Sequence, residues 1–103
     1  MASNGNLNTE VLEIPARVYP GMFDREFQAT ITVCGREITV IVSSDDVVLQ
    51  RTPSEAGVAG KLKVFLVDAD DRGLLIDLPG EPLGTTRRFR IPSEQIRAFL
   101  AST

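Results

Sequence analysis

The sequence of 103 residues contains no histidine, no tryptophan and a single cysteine, Cys34. Without histidine the chain lacks the commonest general base, the commonest transition-metal ligand and the usual switch at neutral pH. A lone cysteine forms no disulfide within the chain, which excludes the disulfide frameworks of small secreted domains. We therefore predict a protein that is not an enzyme and that uses no metal or other cofactor.

Long apolar runs are also missing, since none approaches the roughly 18 residues that span a bilayer. The first nine residues are polar and lack the basic-then-apolar order of a secretory signal. We expect a cytoplasmic protein that makes no membrane contact. The low apolar content of residues 1–9 predicts a disordered tail, followed by a single domain over residues 10–103.

The chain has a net charge of -3, with 11 basic and 14 acidic residues. Overall acidity gives no general attraction to phosphate backbones and disfavours nucleic acid as a partner. Apolar residues make up 43% of the sequence, a usual share for a globular domain. The composition therefore predicts a folded domain in which nucleic-acid binding requires a local basic patch.

Alternating apolar and polar residues predict a first hairpin from Glu26–Val33 and Arg36–Ser43. A two-residue loop at Cys34-Gly35 fixes the register and brings the apolar residues of both strands onto one face. The predicted apolar pairs are Ile31–Ile38, Ala29–Val40 and Phe27–Val42.

A second hairpin is predicted from Lys61–Asp68 and Leu74–Leu78. A loop of three or five residues places Leu66 opposite Ile76 or Leu78, whereas a four-residue loop places it opposite Asp77. We therefore expect an odd number of loop residues.

Two further strands and a helix complete the predicted elements. Alternation in Val11–Tyr19 indicates a strand, in which Pro15 favours a sheet edge or a strand start. Arg87–Ile91 indicates the last strand. Ser93 is then placed as an N-cap, and the apolar spacing that begins at Ile96 predicts a short closing helix.

These elements predict a mainly β fold: a small antiparallel barrel or rolled sheet of five to six strands with a short C-terminal helix. Four residues on the faces that alternation assigns to solvent are nevertheless apolar: Ile41, Phe65, Val67 and Leu75. They require cover from strand coiling, from a partner or from the closing helix, Ser93 to Leu100, acting as a lid.

The segment Arg88–Ile96, with the sequence RFRIPSEQI, resembles the closing part of SH3 domains, in which a strand runs through Pro-Ser into a tight helical turn. The resemblance implies a small β-barrel and no function. The chain has no tryptophan and a single tyrosine, Tyr19, so it lacks the aromatic groove that binds proline-rich peptides in SH3 domains. An OB-like barrel or another rolled sheet stays open as an alternative.

Two groups of residues are candidates for binding. Arg87, Arg88 and Arg90 form a basic patch if their side chains converge, although the same alternation is typical of an ordinary solvated strand face. Pro79, Gly80 and Pro82 belong to a stiff connection expected at the surface, where recognition loops are common and where plain turns also occur.

Two other motifs favour structural interpretations. Asp68–Gly73 begins like a calcium loop, but Arg72 holds the fifth position, and Pro79 stands where the bidentate glutamate belongs. Acidic residues that favour a hairpin turn account for this motif. Cys34 has only Arg36 nearby as an activating group, which favours an exposed turn residue over a reactive thiol.

By elimination, we predict a non-enzymatic binding or accessory module that acts through protein–protein contacts, with a protein partner or by self-association. The predicted contact residues are Pro79, Gly80 and Pro82 together with Ile41, Phe65 and Leu75. The alternative is a nucleic-acid-associated small barrel that uses Arg87, Arg88 and Arg90. A hydrolytic or redox enzyme that uses aspartate or Cys34 is the third hypothesis.

Overall fold

A computed structural model describes residues 10–101, so the tail predicted at residues 1–9 lies outside it. Strands account for 59% of the described residues. In chain order the strands are β1 (Val11–Pro20), β2 (Glu26–Val33), β3 (Arg36–Ser43), β4 (Val47–Val48), β5 (Val58–Asp70), β6 (Gly73–Asp77), β7 (Glu81–Leu83) and β8 (Arg88–Pro92). A 3₁₀ turn (Ser44–Asp46) precedes β4, and helix α1 (Ser93–Ala101) follows β8.

The strands form one antiparallel sheet in the order β7-β3-β2-β1-β5-β6-β8, and β4 pairs separately with β5. The sheet curls into a half-barrel, which confirms the predicted mainly β class with a short C-terminal helix. One face of the sheet supplies the core, because alternate residues of each strand point to the same side. The core residues are Ile14, Val18, Ala29, Ile31, Val33, Ile38, Val40, Val42, Val47, Val58, Leu62, Val64, Ile76, Leu78 and Ile91.

The β2–β3 hairpin has the predicted register along its whole length, including the pair Ile31–Ile38. Its turn residues Cys34 and Gly35 have φ values of 52° and 79°. Two successive positive φ angles are typical of the two-residue turns whose twist matches that of the flanking strands. Gly35 adopts this conformation without the steric cost that a side chain brings.

The β5–β6 hairpin contains the predicted pair Leu66–Ile76 but reaches it by another route. Asp70 pairs with Gly73, so the loop has two residues and not three or five. A regular ladder from this turn places Leu66 opposite Asp77. The register shift between Leu66 and Asp68 is a β-bulge that restores the apolar pair. The predicted loop length is therefore wrong. The extra residue that brings Leu66 opposite Ile76 lies in the strand, as a bulge, and not in the loop.

Strand β1 lies inside the sheet although it contains Pro15. Residues 11–18 pair with β5, whereas pairing with β2 begins only at Arg17. Pro15 thus lies in the part of β1 that pairs with β5 only. Because the other edge is open there, the missing N–H of Pro15 breaks no hydrogen bond between strands. The edge prediction is confirmed for this half of the strand only.

Helix α1 packs against the inner face of the sheet. Its Ile96 and Phe99 contact the core in a depression that also includes Leu12, Ile14 and Ile91. In the part of the chain that the structure describes, no helix combines the length and apolarity needed to cross a membrane.

The start of α1 is tied to the β5–β6 turn. The Ser93 hydroxyl donates to the Asp71 carbonyl at 3.0 Å, and the Ser93 N–H donates to the Arg72 carbonyl at 3.1 Å. Ser93 is itself the first helical residue. The predicted N-cap role is therefore wrong, and Ser93 anchors the helix instead.

Candidate functional site

The half-barrel leaves an open cleft, which we call the seam, between residues 36–38 of β3 and strand β8. Strand β7 pairs with β3 only at Thr39–Ile41, so the preceding three residues have no strand partner on that side among residues 10–101. Within the same range, β8 pairs with β6 and leaves its other edge open. The seam has a volume of about 300 Å³ and is lined by Val33, Cys34, Arg36, Ile38, Thr85, Phe89, Arg90 and Pro92.

Antiparallel alternation determines which backbone groups face the seam. The two-residue turn of β2–β3 leaves the N–H and C=O of Glu37 pointing away from β2. On β8, the Leu78 N–H donates to the Arg87 carbonyl at 2.9 Å, and alternation from this pair leaves the N–H and C=O of Arg90 pointing away from β6. Both edges therefore present unpaired donors and acceptors, which is the arrangement that accepts an additional strand.

The floor of the seam is apolar. Val33 and Ile38 are buried core residues, and Phe89 is half-buried and packs against the core. All three belong to the inward set of their strands, since they continue the alternation that buries Ile31 and Ile91. An extended segment in the seam therefore meets apolar surface with every second side chain.

One end of the seam is closed by the β2–β3 turn. Cys34 is an exposed free cysteine, and its N–H donates to Gln95 Oε1 of α1 at 2.6 Å. This bond links the hairpin tip to the helix across the end of the half-barrel. The exposed tip position that the sequence predicts for Cys34 is confirmed.

The three arginines predicted as a basic patch lie on or beside β8 and are largely engaged within the chain. Arg88 forms a two-pronged ion pair with Asp77, with Nε–Oδ1 at 2.8 Å and Nη2–Oδ2 at 3.0 Å. Arg87 Nη1 donates to the Leu78 carbonyl at 3.0 Å. Arg90 Nη1 lies 3.2 Å from Asp70 Oδ1. Of these three arginines, only Arg90 lines the seam.

These contacts stabilise the charged forms of the acidic partners. The hydrogen bonds from Arg88 hold the pKa of Asp77 below its usual value, and the same contact raises the pKa of Arg88. The backbone N–H of Arg72 lowers the pKa of Asp70, helped by the charge of Arg90. The acidic turn therefore binds arginine through Asp70. Residues 10–101 include no cluster of potential metal ligands.

The proline-containing connection is built differently from the predicted exposed loop. Pro79 is buried, Pro82 is half-buried, and Gly80 is exposed. Residues Glu81–Leu83 form β7, in which Pro82 pairs with Val40. Proline is accepted there because β7 is an edge strand.

The apolar residues predicted on the outer faces fall into two groups. Ile41 and Leu75 are half-buried, between neighbouring strands. Phe65 and Val67 are 37% and 41% exposed, and Val11 pairs with Phe65. We call Val11 and Phe65 the outer patch. Helix α1 packs against the inner face instead, so the predicted lid over these residues is wrong.

Two features of the surface were not predicted from the sequence. Met22 and Phe23, at the β1–β2 turn, are 84% and 71% exposed. An apolar pair next to the Pro20-Gly21 turn signal was the available clue. No local sequence pattern predicts the seam, because it joins residues 36–38 to residues 85–92, which are distant in the sequence.

A second, larger cleft of about 490 Å³ lies beside α1 and is lined in part by Arg17 and Thr30. The Arg17 guanidinium donates to the carbonyls of Ala56 and Gly57 at 3.1 Å. The Thr30 hydroxyl is hydrogen-bonded to that of Thr39 at 2.9 Å. Two polar groups of this cleft are thus engaged within the chain, whereas the seam lies between open strand edges, so the seam is the better candidate site.

Comparison with known proteins adds no assignment to this geometry. No protein family, curated protein or solved structure matches the chain, and the resemblance of its closing segment to SH3 domains stays a prediction.

Proposed function

We propose that this protein is a non-catalytic protein-binding module that accepts an extended segment of a partner along the seam. The observation that carries the proposal is the pair of open strand edges, residues 36–38 and β8, on either side of an apolar floor. Main-chain hydrogen bonds to an edge give affinity in strand addition, and pockets for alternate side chains give specificity. The seam offers both.

The non-catalytic part of the proposal rests on the state of the acidic groups. A general acid needs a carboxyl pKa raised toward neutrality. The pKa values of Asp70 and Asp77 are instead lowered by hydrogen bonds from Arg72 and Arg88. The sequence contains no histidine to act as a general acid or a general base.

Nucleic-acid binding through the arginine strand remains the second candidate. Arg87, Arg88 and Arg90 share one short segment, which favours it, but Asp77 and Asp70 already neutralise two of the three. Phosphate must therefore displace these pairs on a chain of net charge -3. An electrophoretic mobility shift at low salt, compared with an Arg87→Gln variant, tests this function.

Strand addition is tested with a neutral eight-residue peptide that alternates valine and threonine, followed by fluorescence anisotropy. Its control carries proline at a central position and cannot complete the ladder. We expect saturable binding of the first peptide only, with amide chemical shift changes at Glu37 and Arg90. Equal binding of both peptides, or shift changes confined to other regions, contradicts the proposal.

A variant pair tests the β3 edge directly. The Glu37 N–H faces the seam and not β2, so Glu37→Pro removes an open donor without breaking the β2–β3 ladder. Glu37→Ala is the matched control that keeps the N–H. We expect weaker binding in Glu37→Pro alone, at unchanged circular dichroism.

A further inference from the structure

The seam is cationic although the protein is acidic overall. Among the described residues, its lining includes Arg36 and Arg90 but no carboxylate side chain, on a chain of net charge -3. The larger cleft beside α1 differs, because it contains Glu37 together with Arg17. Charge of one sign on both sides of an apolar floor favours a ligand that is both anionic and partly apolar.

The two seam arginines differ in their availability. Arg36 is exposed, and none of the ion pairs found among residues 10–101 involves it. Arg90 is paired with Asp70 at 3.2 Å, and Asp70 also accepts the Arg72 N–H at 2.9 Å. Among residues 10–101, Arg36 is therefore a seam cation with no ion-pair partner, and Arg90 is able to share a second carboxylate.

The strand pattern places the two charges on different sides of an incoming segment. Arg36 belongs to the same inward set as Ile38, at the end of the seam near Cys34. Arg90 alternates with the inward residues Phe89 and Ile91 and therefore lies on the outer side. A segment with apolar residues inward reaches Arg90 with its outward side chains and Arg36 with an inward side chain at one end.

We propose that the segment taken up by the seam is an acidic extended peptide, with apolar residues at its inward positions and a glutamate or aspartate at the inward position that meets Arg36. This inference rests on the proposed function and names the chemistry of the partner. Such a segment places apolar side chains on Val33, Ile38 and Phe89 and a carboxylate beside Arg36. Its backbone continues the row that β7 begins on the edge of β3.

The test compares three peptides that share the same valine positions and differ only at the terminal inward position that meets Arg36, which is glutamate, glutamine or lysine. Glutamine matches glutamate in shape, so it isolates the charge. We expect the glutamate peptide to bind roughly twofold to fivefold more tightly than the glutamine peptide at low salt, and the lysine peptide to bind most weakly. The preference for glutamate should shrink as salt is raised.

Two charge-matched variants locate the effect. Arg36→Gln should remove most of the preference for glutamate over glutamine. Arg51→Gln removes the same charge from an exposed loop position outside the seam and should leave the preference unchanged.

The outcomes separate the two proposals. Equal affinity for the glutamate and glutamine peptides overturns the acidic partner and leaves strand addition in place. Failure of all three peptides to bind overturns both. Two further results also overturn the acidic partner: an oligonucleotide bound in an Arg36-dependent way, or self-association lost in Glu37→Pro, which makes the occupant nucleic acid or a second copy of this chain.

Discussion

Gly80 holds the chain against β3 at a point where the structure leaves no room for a side chain. A Cβ at this position overlaps the carbonyl oxygen of Ile41, a backbone atom that cannot rotate away. Gly84, in the same connection, has φ of 72° against 64° for Gly80, yet a Cβ there meets no atom within 4 Å. The two glycines therefore form a matched pair that has similar φ and differs in contact.

The expected costs follow from this difference. Alanine at a positive φ costs on the order of 1 kcal/mol at either site. At Gly80 the overlap adds roughly 1–3 kcal/mol, because β7 must move away from β3. We expect Gly80→Ala to lower the unfolding free energy by roughly 2–4 kcal/mol and Gly84→Ala by about 1 kcal/mol.

Urea denaturation of both variants measures the difference, with the slope of the transition as a check that unfolding stays two-state. Equal losses of stability would refute the reasoning, because they would mean that β7 does not dock on β3 as described. The position of β7 matters to the site, since its end at Thr39 defines where the open edge of β3 begins.

Three further predictions follow from the contacts. The pKa of Asp77 is lowered in the folded state, so its pairing with Arg88 stabilises the protein above the usual aspartate pKa of about 3.9, and this stability is lost as the pH falls through the folded pKa. The stability gap between wild type and Asp77→Asn should therefore be present at pH 7 and close under acid conditions; a constant gap contradicts the ion pair. Cys34 should react rapidly with a thiol reagent in the folded protein and more slowly when a peptide fills the seam, whereas Cys34→Ser should keep its melting temperature. The outer patch should cause self-association at high concentration, measured by sedimentation equilibrium and removed by Phe65→Asp; a wild-type monomer at several hundred micromolar would exclude it.

The parts of the fold that the sequence predicts correctly are those with local causes. Strict alternation in residues 26–43 identifies both strands, and a two-residue turn fixes the register of their pairs. The second hairpin shows the limit of this logic. The pair Leu66–Ile76 is correct because apolar residues must share a face, but the bulge near Val67 has no periodic signal.

The elements that the sequence did not predict depend on distant contacts. Strands β4 and β7 have two and three residues, too few to show a period, and they exist because β5 and β3 offer edges to pair with. The pairing of Arg88 with Asp77 likewise depends on the β6–β8 register, across a connection that contains β7.

The candidate site was only partly predictable for the same reason. Arg90 and Cys34 were singled out from their local sequence, and both line the seam. Arg36 was considered only as a neighbour of Cys34, because nothing local reveals that β8 ends up beside it. The outer patch was predicted through Phe65, which alternation marks as an apolar residue on a solvent face.

Amide hydrogen exchange at the two open edges tests the central claim most directly. The N–H groups of Glu37 and Arg90 point into the seam and have no partner within residues 10–101, so both should exchange quickly in the free protein. Saturation with the glutamate peptide should slow exchange at both positions by about tenfold or more. If the peptide binds and both amides keep their fast exchange, the segment does not join the sheet as a strand, and the account is contradicted.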